Sequence, residues 1–179
     1  LLSSTNYTYM VDRTREEILL SEKVHDLTEI ALLSALITIT GAIKLPSLLP
    51  GMEFQLSAPL AVAICVVFGF KKYILAGLLS STAGLILGTH NLFNVAIAMQ
   101  FRLVVGAMIA LFGRRLWVIA LAGPMGTLVA RLTLSFVVGK AAGALVLAAL
   151  PGMLFTLLAA PVMVRVLKKV TVVRHALNA

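Results

Sequence analysis

Apolar positions fall into six long runs, each close to the length a helix needs to cross a bilayer. The runs are 28–44, 55–70, 73–89, 92–113, 116–138 and 141–167. Breakers or charges separate them: Pro46, Pro50 and Gly51 after the first, then Lys71-Lys72, Thr89-His90-Asn91, Arg114-Arg115, Gly139-Lys140 and Lys168-Lys169. Ahead of them, residues 10–27 are polar and hold Asp12, Glu16, Glu17, Glu22 and Asp26, interspersed with Ile18, Leu19, Leu20 and Val24. That stretch reads as a short surface helix or arm. The pattern predicts an all-α integral membrane protein, a bundle of six transmembrane helices over 28–170. A polar arm (1–27) precedes it and a cytoplasmic tail (171–179) follows. Met10 opens Met-Val-Asp-Arg, which suits a native start and would make residues 1–9 an added remnant.

Composition strengthens the membrane assignment. Apolar residues make up 60% of the 179 positions and charged residues 12%, and mean hydropathy is +1.04. A water-soluble domain carries about 25% charged residues, so this chain needs lipid to cover its surface. The single cysteine, Cys65, lies in an apolar run and reads as a small buried hydrophobe. No disulfide, metal site or cofactor is expected.

The net charge of +8 raises nucleic acid as a partner, but the basic residues sit between apolar runs and form no continuous patch. Topology explains them better. With the N-terminus inside, the inner side holds Arg13, Arg15, Lys23, Lys71, Lys72, Arg114, Arg115, Arg165, Lys168, Lys169 and Arg174, and the outer side only Lys44 and Lys140. Eleven against two is a strong positive-inside bias. It places both termini in the cytoplasm and favours an even number of spans. Small residues in the third run (Gly77, Ser80, Ser81, Gly84, Gly88) predict close helix approach. Pro124 and Pro161, within spans, predict kinks, and Trp117 suits the inner aromatic belt.

After Glu29 the only acid is Glu53, in the first outer loop. Ion-driven transporters commonly use intramembrane carboxylates, and none is present. There is no phosphate-binding loop for ATP and no nucleophile or metalloprotease motif, and His25, His90 and His175 are scattered. An enzyme is not expected. What remains suits binding. Arg102 lies near the middle of the fourth run. At 100° per residue, Asn91 falls within about 20° of it and Asn94 within about 80°. Arg131 lies in the fifth run, with Thr127 and Ser135 four residues to either side. An arginine in hydrocarbon costs a few kcal/mol or more and should face the bundle interior. There it could hold a carboxylate or phosphate, or else snorkel, cap carbonyls or pair with Glu53. His90, Asn91 and Asn94 are candidate ligand contacts or a solvated loop. Met52, Glu53, Phe54 and Gln55 could form a lid or a plain connection.

The first run reads Glu-Ile-Ala-Leu-Leu-Ser-Ala-Leu-Ile, with Ala31-x-x-x-Ala35. This row, six short helices with both ends inside and a long first loop together resemble the substrate-binding S components of energy-coupling factor vitamin transporters of the bacterial cell membrane. The resemblance covers roughly 28–170. It implies high-affinity binding of a vitamin near the outer side, where Glu53, His90, Asn91 and Arg131 fall. It also implies Ala31 and Ala35 as the face that docks on a transmembrane coupling subunit, two partner ATPases as the energy source, and toppling of the bundle to release substrate. Gly-Pro-Met-Gly at 123–126 is similar to a Gly-Pro-Thr-Gly motif of biotin carriers, but its position differs and no residues are carried over. The arginines favour an anionic, carboxylate-bearing vitamin. The other readings are a structural or scaffold membrane protein without a pocket, and an intramembrane or lipid-modifying enzyme, disfavoured by the missing carboxylates.

Overall fold

The computed structural model describes the backbone of residues 4–42, 44–46, 53–138 and 142–177, and the side chains of 13–42, 56–134, 136 and 146–172. In chain order it contains α1 (Ser4–Ala42), β1 (Lys44–Pro46), β2 (Glu53–Gln55), α2 (Ser57–Phe68), α3 (Phe70–Ile86), α4 (Leu92–Phe112), α5 (Leu116–Val138) and α6 (Ala142–Leu177). The chain is a helical membrane protein. Four helices are long and apolar enough to cross a bilayer, over 13–42, 92–112, 116–134 and 146–172.

The arm and the first apolar run form one helix. At 1.5 Å per residue its 39 residues extend about 58 Å, roughly twice the hydrocarbon thickness. Every side chain from Arg13 to Thr28 is exposed, and burial begins at Glu29. The first loop contains a feature the apolar pattern did not predict. β1 and β2 pair antiparallel, with Lys44 opposite Gln55 and Pro46 opposite Glu53. The expected lid residue Met52 lies outside the described residues, as do the side chains of Glu53, Phe54 and Gln55.

The second run was read as a span over 55–70, but its helix covers only 57–68. Twelve residues rise about 18 Å, less than the hydrocarbon thickness. α2 tolerates this because protein surrounds it. Pro59 through Val66 are all buried, and α2 touches each of the other five helices. An all-round apolar helix such as Leu-Ala-Val-Ala-Ile-Cys-Val-Val belongs in this central place, and Cys65 is buried there as expected. Residue Gly69 alone reverses the chain into α3, at φ +86°, a conformation that L side chains rarely adopt. The turn between α2 and α3 therefore precedes Lys71-Lys72, which belong to the first turn of α3. The Phe70 ring closes the turn by lying against Gly106 of α4. α5 and α6 continue as helix through Pro124, Pro151 and Pro161.

Around α2, the main neighbours are α5 with α6, α4 with α5, and α1 with α3. The outward faces carry apolar side chains such as Leu111, Phe136, Leu154 and Leu158, a surface that lipid covers. An ion cluster joins α1 to the start of α3. Lys72 Nζ is 2.7 Å from Asp26 Oδ1 and 2.5 Å from Glu29 Oε2. Its hydrogen bond holds the Asp26 carboxyl below the usual carboxylate range. A carboxyl lowered on folding adds stability above its unfolded pKa and loses it as pH falls through the folded value. Lys72→Met is predicted to lower the melting temperature in detergent by about 2–6 °C near neutral pH. The gap to the unsubstituted protein should narrow below about pH 4. Equal melting temperatures at pH 7 would contradict a clamping role for Lys72.

Candidate ligand site around Arg102

Arg102 leaves the middle of α4 and is buried, with 6% of its surface exposed. Long side chains on a helix lean toward its N-terminus, so the guanidinium rises along α3. Its Nη1 donates to Ser81 Oγ at 2.9 Å and lies 3.3 Å from Met99 Sδ. A methyl group on Gly77 would collide with Arg102 Nε and lie 2.6 Å from Cδ and 2.8 Å from Cζ. Gly77 thus makes the channel in which the arginine lies, and Ser81, one turn further on, receives its tip. The small residues of the third run permit close approach as predicted, but what approaches here is an arginine side chain. Ser80, on the adjacent row, hydrogen-bonds Thr38 of α1 at 2.9 Å.

Both of these Arg102 partners are neutral. Lys72 engages Glu29 of α1, and the only later acid, Glu53, belongs to the β1–β2 hairpin. Helices α2 to α6 carry no carboxylate, so none of them supplies one to neutralise the guanidinium. Beneath it, on the same α3 face, Tyr73 is fully buried, and its Oη has no hydrogen-bond partner among the described residues.

The other candidates fall in different places. Asn91 caps α4: its Oδ1 accepts the Asn94 N–H at 2.8 Å, which satisfies a donor left over at the helix start. Asn91 and Asn94 are exposed above the buried Arg102. His90 is also exposed, and its ring covers Gly84. Arg131 and Thr127 are half-buried on α5, which packs mainly against α4 and α6. Arg102 turns toward α3. Ser135 lies outside the residues with described side chains. Ala31 and Ala35 are exposed, whereas Ile30, Leu33, Ser34 and Ile37 on the same helix are buried or nearly so. In Gly-Pro-Met-Gly, Gly123 receives Thr156 of α6 and Gly126 receives the Phe101 ring of α4, so both glycines serve helix contact.

The i, i+4 spacing of Gly77 and Ser81 was visible, but not that an arginine would occupy it. Tyr73, directly after Lys71-Lys72, figured only as the first residue of the third run, with no role of its own.

No protein-family model matches this chain, and no solved structure does. It is similar to Protein BioX of Lysinibacillus sphaericus, 51% identical over 132 residues that span 74% of this chain and 80% of the relative. The chain belongs to the BioX family. Membership of the BioX family is consistent with the resemblance to S components drawn from the alanine row and the six apolar runs.

The Arg102 seat can be tested without a ligand. Gly77→Ala should destabilise the protein by about 1–3 kcal/mol through overpacking. In an Arg102→Ala background most of that cost should vanish, because the colliding side chain is gone. Additive effects in the double-mutant cycle would show that the two residues do not meet.

Proposed function

We propose that this BioX-family protein is the high-affinity substrate-binding subunit of an energy-coupling factor vitamin transporter in the bacterial cell membrane. The substrate is a small carboxylate-bearing vitamin, and the relative's name directs attention to biotin. In this reading all six helices cross the membrane, both termini are cytoplasmic, and the chain binds without turnover. One observation supports it above the others: a buried guanidinium in mid-helix whose described hydrogen-bond partners are neutral. A buried cation of this kind is costly until an anion joins it. A carboxylate accepting two N–H groups would match its geometry and charge. Arg131 and Thr127 on α5, with Asn91, Asn94, His90 and Glu53 toward the outer side, form the entry region.

The chain contains no ATP-binding motif, so energy would come from two partner ATPases through a transmembrane coupling subunit. The exposed Ala31 and Ala35 offer a flat docking strip for that subunit, because small residues let helix backbones approach closely. Calorimetric titration of the detergent-solubilised chain with biotin should give saturable binding. Arg102→Gln should weaken it at least about 100-fold. Replacing Ala31 and Ala35 with Trp should abolish uptake by cells and leave that binding intact. Undiminished affinity in the Arg102 variant would sink the anion-site assignment, and normal uptake by the double-Trp variant would remove the docking strip.

A further inference from the structure

Charge is divided unevenly around this bundle. α1 holds six acidic and three basic residues, and Lys71 and Lys72 open its neighbour α3, so that pair of helices is close to neutral. Within it, Lys72 is engaged by Asp26 and Glu29. Helices α4, α5 and α6 hold no acid. Arg114 and Arg115 form the turn between α4 and α5, and Arg165, Lys168 and Lys169 follow on α6. All five side chains are exposed. They also share one level of the bundle. Only four residues separate Val138 from Ala142, so α5 and α6 are antiparallel neighbours, and Gly123 against Thr156 sets their register. Arg115 lies about 12 Å along the axis from Gly123, and Arg165 about 14 Å from Thr156 in the same direction.

The surface beside these cations is apolar. Leu111, Phe112, Leu116 and Trp117 are exposed, and the Phe112 and Trp117 rings meet with centroids 6.0 Å apart. Tryptophan favours the depth at which hydrocarbon gives way to headgroups. Cations at the edge of a lipid-covered face meet those headgroups first. The positive-inside bias does not require this arrangement, because it counts charges on one side of the membrane whichever helix carries them.

We propose that Arg114, Arg115, Arg165, Lys168 and Lys169 form a docking surface for anionic phospholipid at one end of α4–α6. The lipid phosphate accepts hydrogen bonds from the arginines, and the acyl chains lie along Leu111, Leu116 and the Phe112–Trp117 pair. The α6 lysines add attraction at longer range. The near-neutral α1–α3 side, which carries the exposed alanines, has no such hold on lipid and stays open to protein. This surface is separate from the anion site proposed at Arg102, about 18 Å along α4 from Arg114.

The test mixes the full chain in detergent with equal amounts of phosphatidylglycerol and phosphatidylcholine, and counts the lipid that co-elutes on size exclusion by mass spectrometry. Phosphatidylglycerol should be preferred at least about fivefold, the factor expected for a single Lys or Arg at an anionic surface. The preference should shrink in roughly 1 M salt, where such attractions are screened. Exchanging all five residues for Gln should bring it near parity, and Arg114→Gln with Arg115→Gln alone should lower it severalfold. Melting without lipid checks the fold of both variants, and the arginine pair decides the matter if the fivefold variant melts lower. Arg13→Gln, Arg15→Gln and Lys23→Gln together remove α1 cations and should leave the preference intact. Equal retention of the two lipids by the unsubstituted protein would overturn the proposal. So would full preference in the Gln variants of α4–α6, or its loss in the α1 variant. Inorganic phosphate and polyglutamate should leave the lipid in place. Displacement by the first would show a free-phosphate site, and by the second an acidic protein partner, and either result overturns the lipid assignment.

Discussion

A positive charge enclosed among apolar helices is the constraint around which the rest of this structure is arranged. Moving a guanidinium out of water costs several kcal/mol even after local relaxation. The protein meets part of that cost with a serine hydroxyl and a thioether, both neutral. It also gives up a side chain at Gly77 so that the arginine can lie flat on α3. These features fix the position of the guanidinium without neutralising it. A carboxylate on a neighbouring helix would have stabilised the fold more simply, and α2 to α6 contain none. The arrangement suits a receptor for an anion, held ready and left incomplete.

The scaffold explains how such a site remains in place. α2 is buried on all sides and touches every other helix, so the bundle is organised around a short apolar rod. α3 and α4, which carry Tyr73, Ser81 and Arg102, are fixed to each other by Phe70, at the start of α3, against Gly106. α3 is tied to α1 by Lys72 with Asp26 and Glu29 below, and by Thr38 with Ser80 above. α1 also carries the exposed alanines. The helix with the proposed docking strip is thus bonded directly to the helix that seats the arginine.

Much of this was legible in the residues. The fourth and fifth runs, 92–113 and 116–138, match α4 and α5 to within a residue, because long apolar stretches between sharp breakers have no competing reading. Arg102 stood out because charge in hydrocarbon is expensive wherever it occurs. The turn between α2 and α3 was misplaced because Lys71-Lys72 is a strong water-side signal, whereas Gly69 acts through a backbone angle that composition does not reveal. The β1–β2 hairpin was missed because three-residue strands leave too short an alternation to detect. Asn91 stood out because it shares a helical face with Arg102, but its part in capping α4 through Oδ1 depends on where the helix starts. Tyr73 left no trace in the pattern, since the state of its hydroxyl depends on which helices enclose it.

The central claim is that Arg102 holds a carboxylate-bearing small molecule. Mass spectrometry of the molecules released from purified protein tests it most directly, on the unsubstituted chain and on folded Arg102→Gln prepared in parallel. The account predicts a carboxylate-bearing vitamin with the first and its loss from the second. Recovery of the same molecule from both, or of none from either, would contradict it.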